Sequence, residues 1–402
     1  MSTEISLPIL AGQTGPGTDG AYNQASSCSQ PFQLAKATAT VPPYVDNDNF
    51  RFKHNREELC LQFTSDWNRT QTMNTDSSMW AMYFPPSLKL QSDCEMEARL
   101  AKDLCDWPSL QTIDTPLAKL GVQAARLCAF QSPLSYERRT LLHQHITWIF
   151  YMDQVSERLA LYNLHATAGS AYLENLKSIL RDNPVTDMEV FRGSCPDALI
   201  DNALNAQRIL ADDLMPLKKK LLSPHHMSLC IDALDLYFDT QDEEGRRFCA
   251  EQTLKDIYQT RAFTVGIMVP IILCLTCEQA ELFTPEDPCM IQVSVMAALW
   301  NDMIGLFKDL DSIDNKDDGS AYMNFVRVSM REQGLTAKEA LRACGQRLNT
   351  LIHDYEFYLS SYRPLRRQLY HAGLEFAFMY FDFHLMGLKE RPSTRYGWKI
   401  IR

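Results

Sequence analysis

From Arg56 onward, apolar residues recur at spacings of three and four in long windows separated by short breaks, which is the period of amphipathic α-helices. A chain patterned this way folds as packed helices. The windows place helices over 55–68, 94–105, 115–130, 135–162, 195–220, 227–244, 252–258, 260–278, 289–310, 321–332, 336–361 and 365–388, and strand signals are scarce throughout. Turn-forming residues punctuate them at Asn183-Pro184, Ser194-Cys195-Pro196, Thr284 to Pro288, Asn315 to Gly319 and Pro364. Glycine fits the same picture: 16 of 402 residues, or about 4 % against an average near 7 %. With no internal repeat and no linker between halves, the expectation is one all-α domain over 41–402. Before it, residues 1–40, rich in Gly, Ser, Thr, Gln and Pro, read as a flexible leader.

Charge removes several functional classes. Lys and Arg total 39 against 50 Asp and Glu, a net charge of −11, so the basic footprint of a nucleic-acid binder is missing and no nucleic-acid partner is expected. Twelve cysteines scatter singly except for Cys274 and Cys277, whose CxxC lies in an apolar run without the second half that a zinc site requires. They read as core thiols in a reducing cytoplasm. No Lys or Arg precedes Lys36, which suits neither a secretory signal nor a transit peptide. The longest apolar stretch, Val265 to Cys277, contains Pro270 and is shorter than the roughly 20 residues of a membrane span, so no membrane insertion is expected. His143 and His145 stand two apart on a helix and therefore on different faces, His225-His226 reads as solvated, and Lys218-Lys219-Lys220 as an exposed charge run.

Carboxylates inside otherwise apolar helices mark where chemistry belongs. Asp153 and Glu157 are four apart, so they share a helix face, and Phe150 lies on the same side one turn earlier. In a second segment Asn301, Gly305 and Asp309 run along one stripe, offering two oxygen ligands with a bare position between them. Hard divalent cations such as Mg²⁺ take carboxylate and amide oxygens and keep water elsewhere. Each segment alone also suits a helix emerging into solvent. Gly305 tilts the balance, because glycine within a helix costs about 1 kcal/mol relative to alanine and invites a reason such as close ligand approach.

Asn301-Asp302-x-x-Gly305-x-x-Lys308-Asp309 resembles the NSE metal motif of microbial class I terpene synthases, written ND-x-x-S-x-x-K-E. Asp153-Gln154-Val155-Ser156-Glu157, preceded by Trp148 and Phe150, is similar to their aspartate-rich motif. Tyr258 to Gly266 resembles the segment with the diphosphate-sensing arginine, at Arg261, and Arg395-Tyr396 resembles the C-terminal RY pair. Even Val41-Pro42-Pro43-Tyr44 looks like the family's entry to its first helix, so the likeness runs in order along nearly the whole chain after the leader. Departures are Gln154 for a second aspartate, Gly305 for Ser or Thr, Asp309 for Glu, and Ala262 for a second arginine.

The resemblance implies the class I terpenoid synthase helical bundle around a central active-site cavity. It implies Mg²⁺, three ions with diphosphate bound, held by Asp153 with Glu157 on one wall and by Asn301 and Asp309 on the other, with a water at the Gly305 position. Arg261, Lys308, Arg395 and Tyr396 would bind the diphosphate, and Phe150, Phe381 and Phe383 would wall the cavity. The implied activity is cyclisation of an isoprenyl diphosphate, farnesyl diphosphate first, to a sesquiterpene, by a cytoplasmic monomer or homodimer. Alternatives are a diterpene cyclase on geranylgeranyl diphosphate, a chain-elongating prenyltransferase, or a lapsed terpenoid-binding protein.

Overall fold

The computed structural model describes residues 38–40, 49–53, 58–64, 67, 79–85, 87–88, 91–130, 134–162, 164–247, 252–315, 320–390 and 399–401. Short strands come first: β1 (Thr38–Thr40), β2 (Asn49–Lys53), β3 (Glu58–Thr64), β4 (Met79–Tyr83) and β5 (Gln91–Asp93). Helices follow as α1 (Cys94–Cys105), α2 (Thr115–Gln123), α3 (Ala125–Cys128), α4 (Tyr136–Leu161), α5 (Ser170–Leu180), α6 (Asp197–Arg208), α7 (Met215–Leu221) and α8 (Pro224–Arg246). Then come α9 (Leu254–Thr264), α10 (Met268–Cys274), α11 (Cys277–Ala280), α12 (Pro288–Asn315), α13 (Phe325–Gln333), α14 (Ala337–Leu359) and α15 (Pro364–Glu390), before the strand β6 (Lys399–Ile401).

The helical expectation holds for the body of the chain, and the strands add two small sheets at its edge. β1 pairs antiparallel with β5, and a second sheet runs β4-β3-β2-β6, with only β3 and β4 parallel. The helix expected over 55–68 is a correction, because Glu58 to Thr64 forms β3. Leu59, Leu61 and Phe63 alternate with the remaining residues at a period of two, and that shorter period decides the matter. Tyr83 at the end of β4 donates to Glu356 on α14 at 2.6 Å, joining this sheet to the bundle.

Boundaries follow local chemistry. Ser223, Thr253, Asn324 and Thr336 each cap a helix with a side-chain oxygen. The window over 260–278 is broken at Gly266, whose φ of +75° ends the helical run after Thr264. Pro270 then sits in the first turn of α10, where a missing N–H costs nothing. The helix α5 went unmarked by the sequence pattern. Lys218 is a further correction: it is fully buried rather than exposed, and His226 is buried with Nε2 facing the Leu275 carbonyl at 3.2 Å.

The core lies between α4, α12 and α15, where Trp148, Tyr151, Trp300 and Phe376 are almost wholly buried. Leu254–Cys274 and Pro288–Leu306 are long and apolar enough to cross a membrane by length and composition, yet 67 % and 83 % of their windows are buried inside the fold, as core helices are. Helices α2 and α4 meet at Gly121, where a Cβ would stand 2.4 Å from Thr147 Cγ2. On α3, buried Arg126 donates to Asp382 of α15 at 2.8 Å and to Glu97 of α1 at 3.1 Å. This pins the turn of α15 carrying Phe381 and Phe383. Replacing Arg126 by Met removes the buried partner of both carboxylates, so chemical denaturation should show a loss of about 3–5 kcal/mol.

Candidate active site

Asp153 stands on the one face of α4 that is not fully buried. Its neighbours Met152 and Val155 point into the core, whereas Phe150, Asp153, Gln154 and Glu157 are half-buried at helical spacing. The Asp153 Oδ1 accepts from the Tyr237 hydroxyl at 2.9 Å and from Gln241 Nε2 at 2.6 Å, both on α8. One turn along α8, Glu244 is buried and accepts from Thr264 Oγ1 at 2.8 Å. Thr264 shares α9 with Arg261, whose guanidinium holds Asp302 Oδ1 on α12 through Nη2 at 2.8 Å and Nε at 3.2 Å. Beside it, Asn301 Oδ1 lies 2.9 Å from His384 Nε2 on α15, and Phe383 next to that histidine stacks on Phe150 of α4 at 5.9 Å and 10°.

These contacts close a ring through α4, α8, α9, α12 and α15. Asp153 and Asn301 are thereby linked, through partners on other helices, in one closed series of contacts. Arg261 feels the charge of Asp153 as well as those of Asp302 and Glu244. Burial works against its charge, but those carboxylates outweigh the penalty, and the guanidinium stays protonated well above its ordinary range. Asp302 is fully buried, and its carboxyl is pushed up by burial although Arg261 and the Phe325 N–H at 2.9 Å favour the anion. Glu244 is lifted to about 7, by burial first, against the opposing pull of Arg261 and the Thr264 hydroxyl.

Not every expected residue falls in this ring. Asp309 is buried, with Oδ2 accepting from Asn324 Nδ2 at 2.7 Å, and it lies on the α12 stripe two turns beyond Asn301. Phe381 stacks on Trp300 at 4.9 Å, so that face is taken up by a neighbouring ring. The Lys308 side chain, Arg395 and Tyr396 lie outside the described residues. Sequence reasoning missed Tyr237, Gln241 and Glu244, although their spacing of four and then three along an apolar helix was a readable signal. It also gave no role to Asp302, Asn324 or His384. A cavity of about 320 Å³ opens elsewhere, between the first turns of α12, the end of α14 and the start of α15, lined by Tyr258, Cys289, Leu351, Tyr355, Tyr362 and Tyr370 among others.

The donor set suits a hard divalent cation. Asp153, Glu157 and Asp309 offer carboxylate oxygens and Asn301 an amide oxygen, with no soft ligand among them. Among the described residues no three His, Cys, Asp or Glu side chains converge on one point. A split, oxygen-only set fits ions that keep water and take their remaining ligands from a bound anion. The Asn301 amide is held from α15: His384 Nδ1 lies 2.8 Å from the Tyr380 carbonyl, which can only accept, and Nε2 lies 2.9 Å from Asn301 Oδ1.

Comparison with known proteins bears on the same residues. A family profile described as terpene synthase family 2, C-terminal metal binding, matches residues 144–354. The chain is 44 % identical over 393 residues to the (+)-bicyclogermacrene synthase TS4 of Penicillium expansum, covering 98 % of this chain and 99 % of that one. Its fold resembles 2-methylisoborneol synthase from Streptomyces coelicolor A3(2), with a TM-score of 0.55 at 14 % identity over 74 % of this chain and 92 % of that one. The structure of that enzyme with Mg²⁺ and 2-fluoroneryl diphosphate gives 0.53 at 13 % identity, over 73 % and 92 %.

Glu244 sets a pH signature. Its carboxyl titrates near 7 in the fold and near 4.5 when unfolded, so the folded state holds the extra proton and the stabilisation is complete below about 4.5. It is lost as pH rises through 7. Thermal melts from pH 4.5 to 8 should show Glu244→Gln gaining stability over the parent as pH rises, with the gap levelling off above pH 7.

Proposed function

The chain belongs to terpene synthase family 2 and is a class I terpene synthase, a carbon–oxygen lyase acting on phosphates, and from this we propose that it cyclises farnesyl diphosphate to a sesquiterpene with Mg²⁺ as its metal. The observation that supports the proposal is the closed series of contacts that links Asp153, Arg261 and Asn301 through α4, α8, α9, α12 and α15. The fifteen-carbon substrate is supported by the 44 % identical relative, whose named product is a sesquiterpene. In this reading residues 41–402 form one catalytic domain behind a leader over 1–40, working in the cytoplasm as a monomer or homodimer.

Bound divalent ions would supply Lewis-acid neutralisation of the departing diphosphate. Asp153 with Glu157 would hold them from α4, and Asn301 with Asp309 from α12. The chain's own cations do the rest of the leaving-group work. Arg261 is already dehydrated and charged, so its N–H groups meet a developing oxyanion without reorganising. Lys308, Arg395 and Tyr396 are proposed to donate to the same diphosphate. As the allylic C–O bond breaks, its electron pair leaves with the diphosphate and the prenyl chain becomes a cation.

That cation needs a dry wall with negative faces. Phe150 and Phe383 stack nearly parallel next to the oxygen ligands, and an aromatic face attracts a cation by about 0.5–2 kcal/mol. Phe381, packed on Trp300, would support the wall from behind. No side chain needs to choose the product: the prenyl chain's folding when it ionises does so.

Purified protein with farnesyl diphosphate and Mg²⁺ should release pyrophosphate and a C15 hydrocarbon or alcohol, followed by gas chromatography. Terpene from geranylgeranyl diphosphate alone would move the assignment to a diterpene cyclase, a longer diphosphate to a prenyltransferase, and no product from either would overturn it. Asp153→Ala and Asn301→Ala should each lower turnover by roughly 100-fold or more, and full turnover in Asn301→Ala would remove the metal assignment.

A further inference from the structure

The bare position at 305 and the short carboxylate at 309 are one structural unit. In an α-helix a side chain tilts toward the N-terminus and lies over the residue four before it. Asp309 does this over Gly305: a Cβ at 305 would stand 3.3 Å from Asp309 Oδ2, tighter than such contacts normally are, and 3.5 Å from Oδ1, an ordinary contact. Glycine leaves the carboxylate its place. The space that a water was expected to fill is approached by the carboxylate itself.

A third residue holds it there. Asn324 is fully buried at the N-cap of α13, and its amide orientation is fixed, because Oδ1 accepts from Val326 N at 2.9 Å and Arg327 N at 3.2 Å. Nδ2 must then point back to α12, where it donates to the Asp302 carbonyl at 2.8 Å and to Asp309 Oδ2 at 2.7 Å. The bond from Asn324 fixes the Asp309 rotamer from outside α12.

We propose that Asn324 is a positioning residue for the α12 half of the metal site, holding the Asp309 carboxylate over Gly305 so that it joins Asn301 on a common face. The proposal rests on the reading that α12 binds divalent ions. Losing such a supporting group typically costs 10- to 100-fold in metal affinity.

The test is a Mg²⁺ titration of the full-length protein at fixed pyrophosphate, read as the thermal-shift midpoint rather than as turnover. Gly305→Ala adds only the intruding methyl and improves helix propensity, so the metal-free melting temperature should hold or rise. Asn324→Ser keeps a good N-cap and removes the reach to Asp309. Each should raise the Mg²⁺ midpoint about tenfold or more, and the double variant should be no more than about twofold worse than either single, because both disturb one carboxylate. Unchanged midpoints in either single variant, or effects that multiply in the double, would overturn the proposal. Parent protein that gains no stability from Mg²⁺ and pyrophosphate together would instead overturn the metal reading beneath it.

Discussion

The ion pair between Arg261 and Asp302 joins two helices that otherwise carry unrelated parts of the site. A buried pair of this kind is weak as a source of stability, since dehydrating both charges costs nearly what their attraction returns. Its value is positional. It keeps a guanidinium charged in a dry setting, with the desolvation already met in folding, and it keeps α12 at a set rotation so that Asn301 faces inward while Asp302 faces α9. An anion arriving at Arg261 competes with Asp302 for a donor that is already in place.

Around that pair the polar groups sit in series, each satisfied by a neighbour on another helix. Tyr237 and Gln241 steady Asp153 from α8, His384 faces Asn301 from α15, and Asn324 reaches Asp309 from the start of α13. Polar side chains left to themselves on long helices would swing among rotamers. Here Asp153, Asn301 and Asp309 are each contacted by a group from a different element, so the cost of ordering them has been met by the fold.

Much of this was legible beforehand because helical period is a dense signal. The stripe at 301, 305 and 309 and the pair at 153 and 157 needed only the spacing rule, and the ordered motifs pointed to the family. The strands were not legible in the same way: β3 is short, and its alternation lies inside a window that also fits a helix. Lys218 misled because three adjacent lysines look solvated, whereas one of them falls on the buried face of α7. The supporting groups Tyr237, Glu244, Asn324 and His384 are ordinary residues in sequence. Only the packing of α8, α13 and α15 against the stripes gives them a part, and no local pattern reports packing between distant segments.

The contact at Gly121 sets a limit on how this scaffold can diversify. With backbone meeting the Thr147 side chain at that crossing, α2 cannot carry a side chain at 121 without displacing the helix that carries Phe150 and Asp153. Change at this crossing is thereby confined to residues that leave the α2–α4 seam closed, and the position of Phe150 and Asp153 is inherited from that seam.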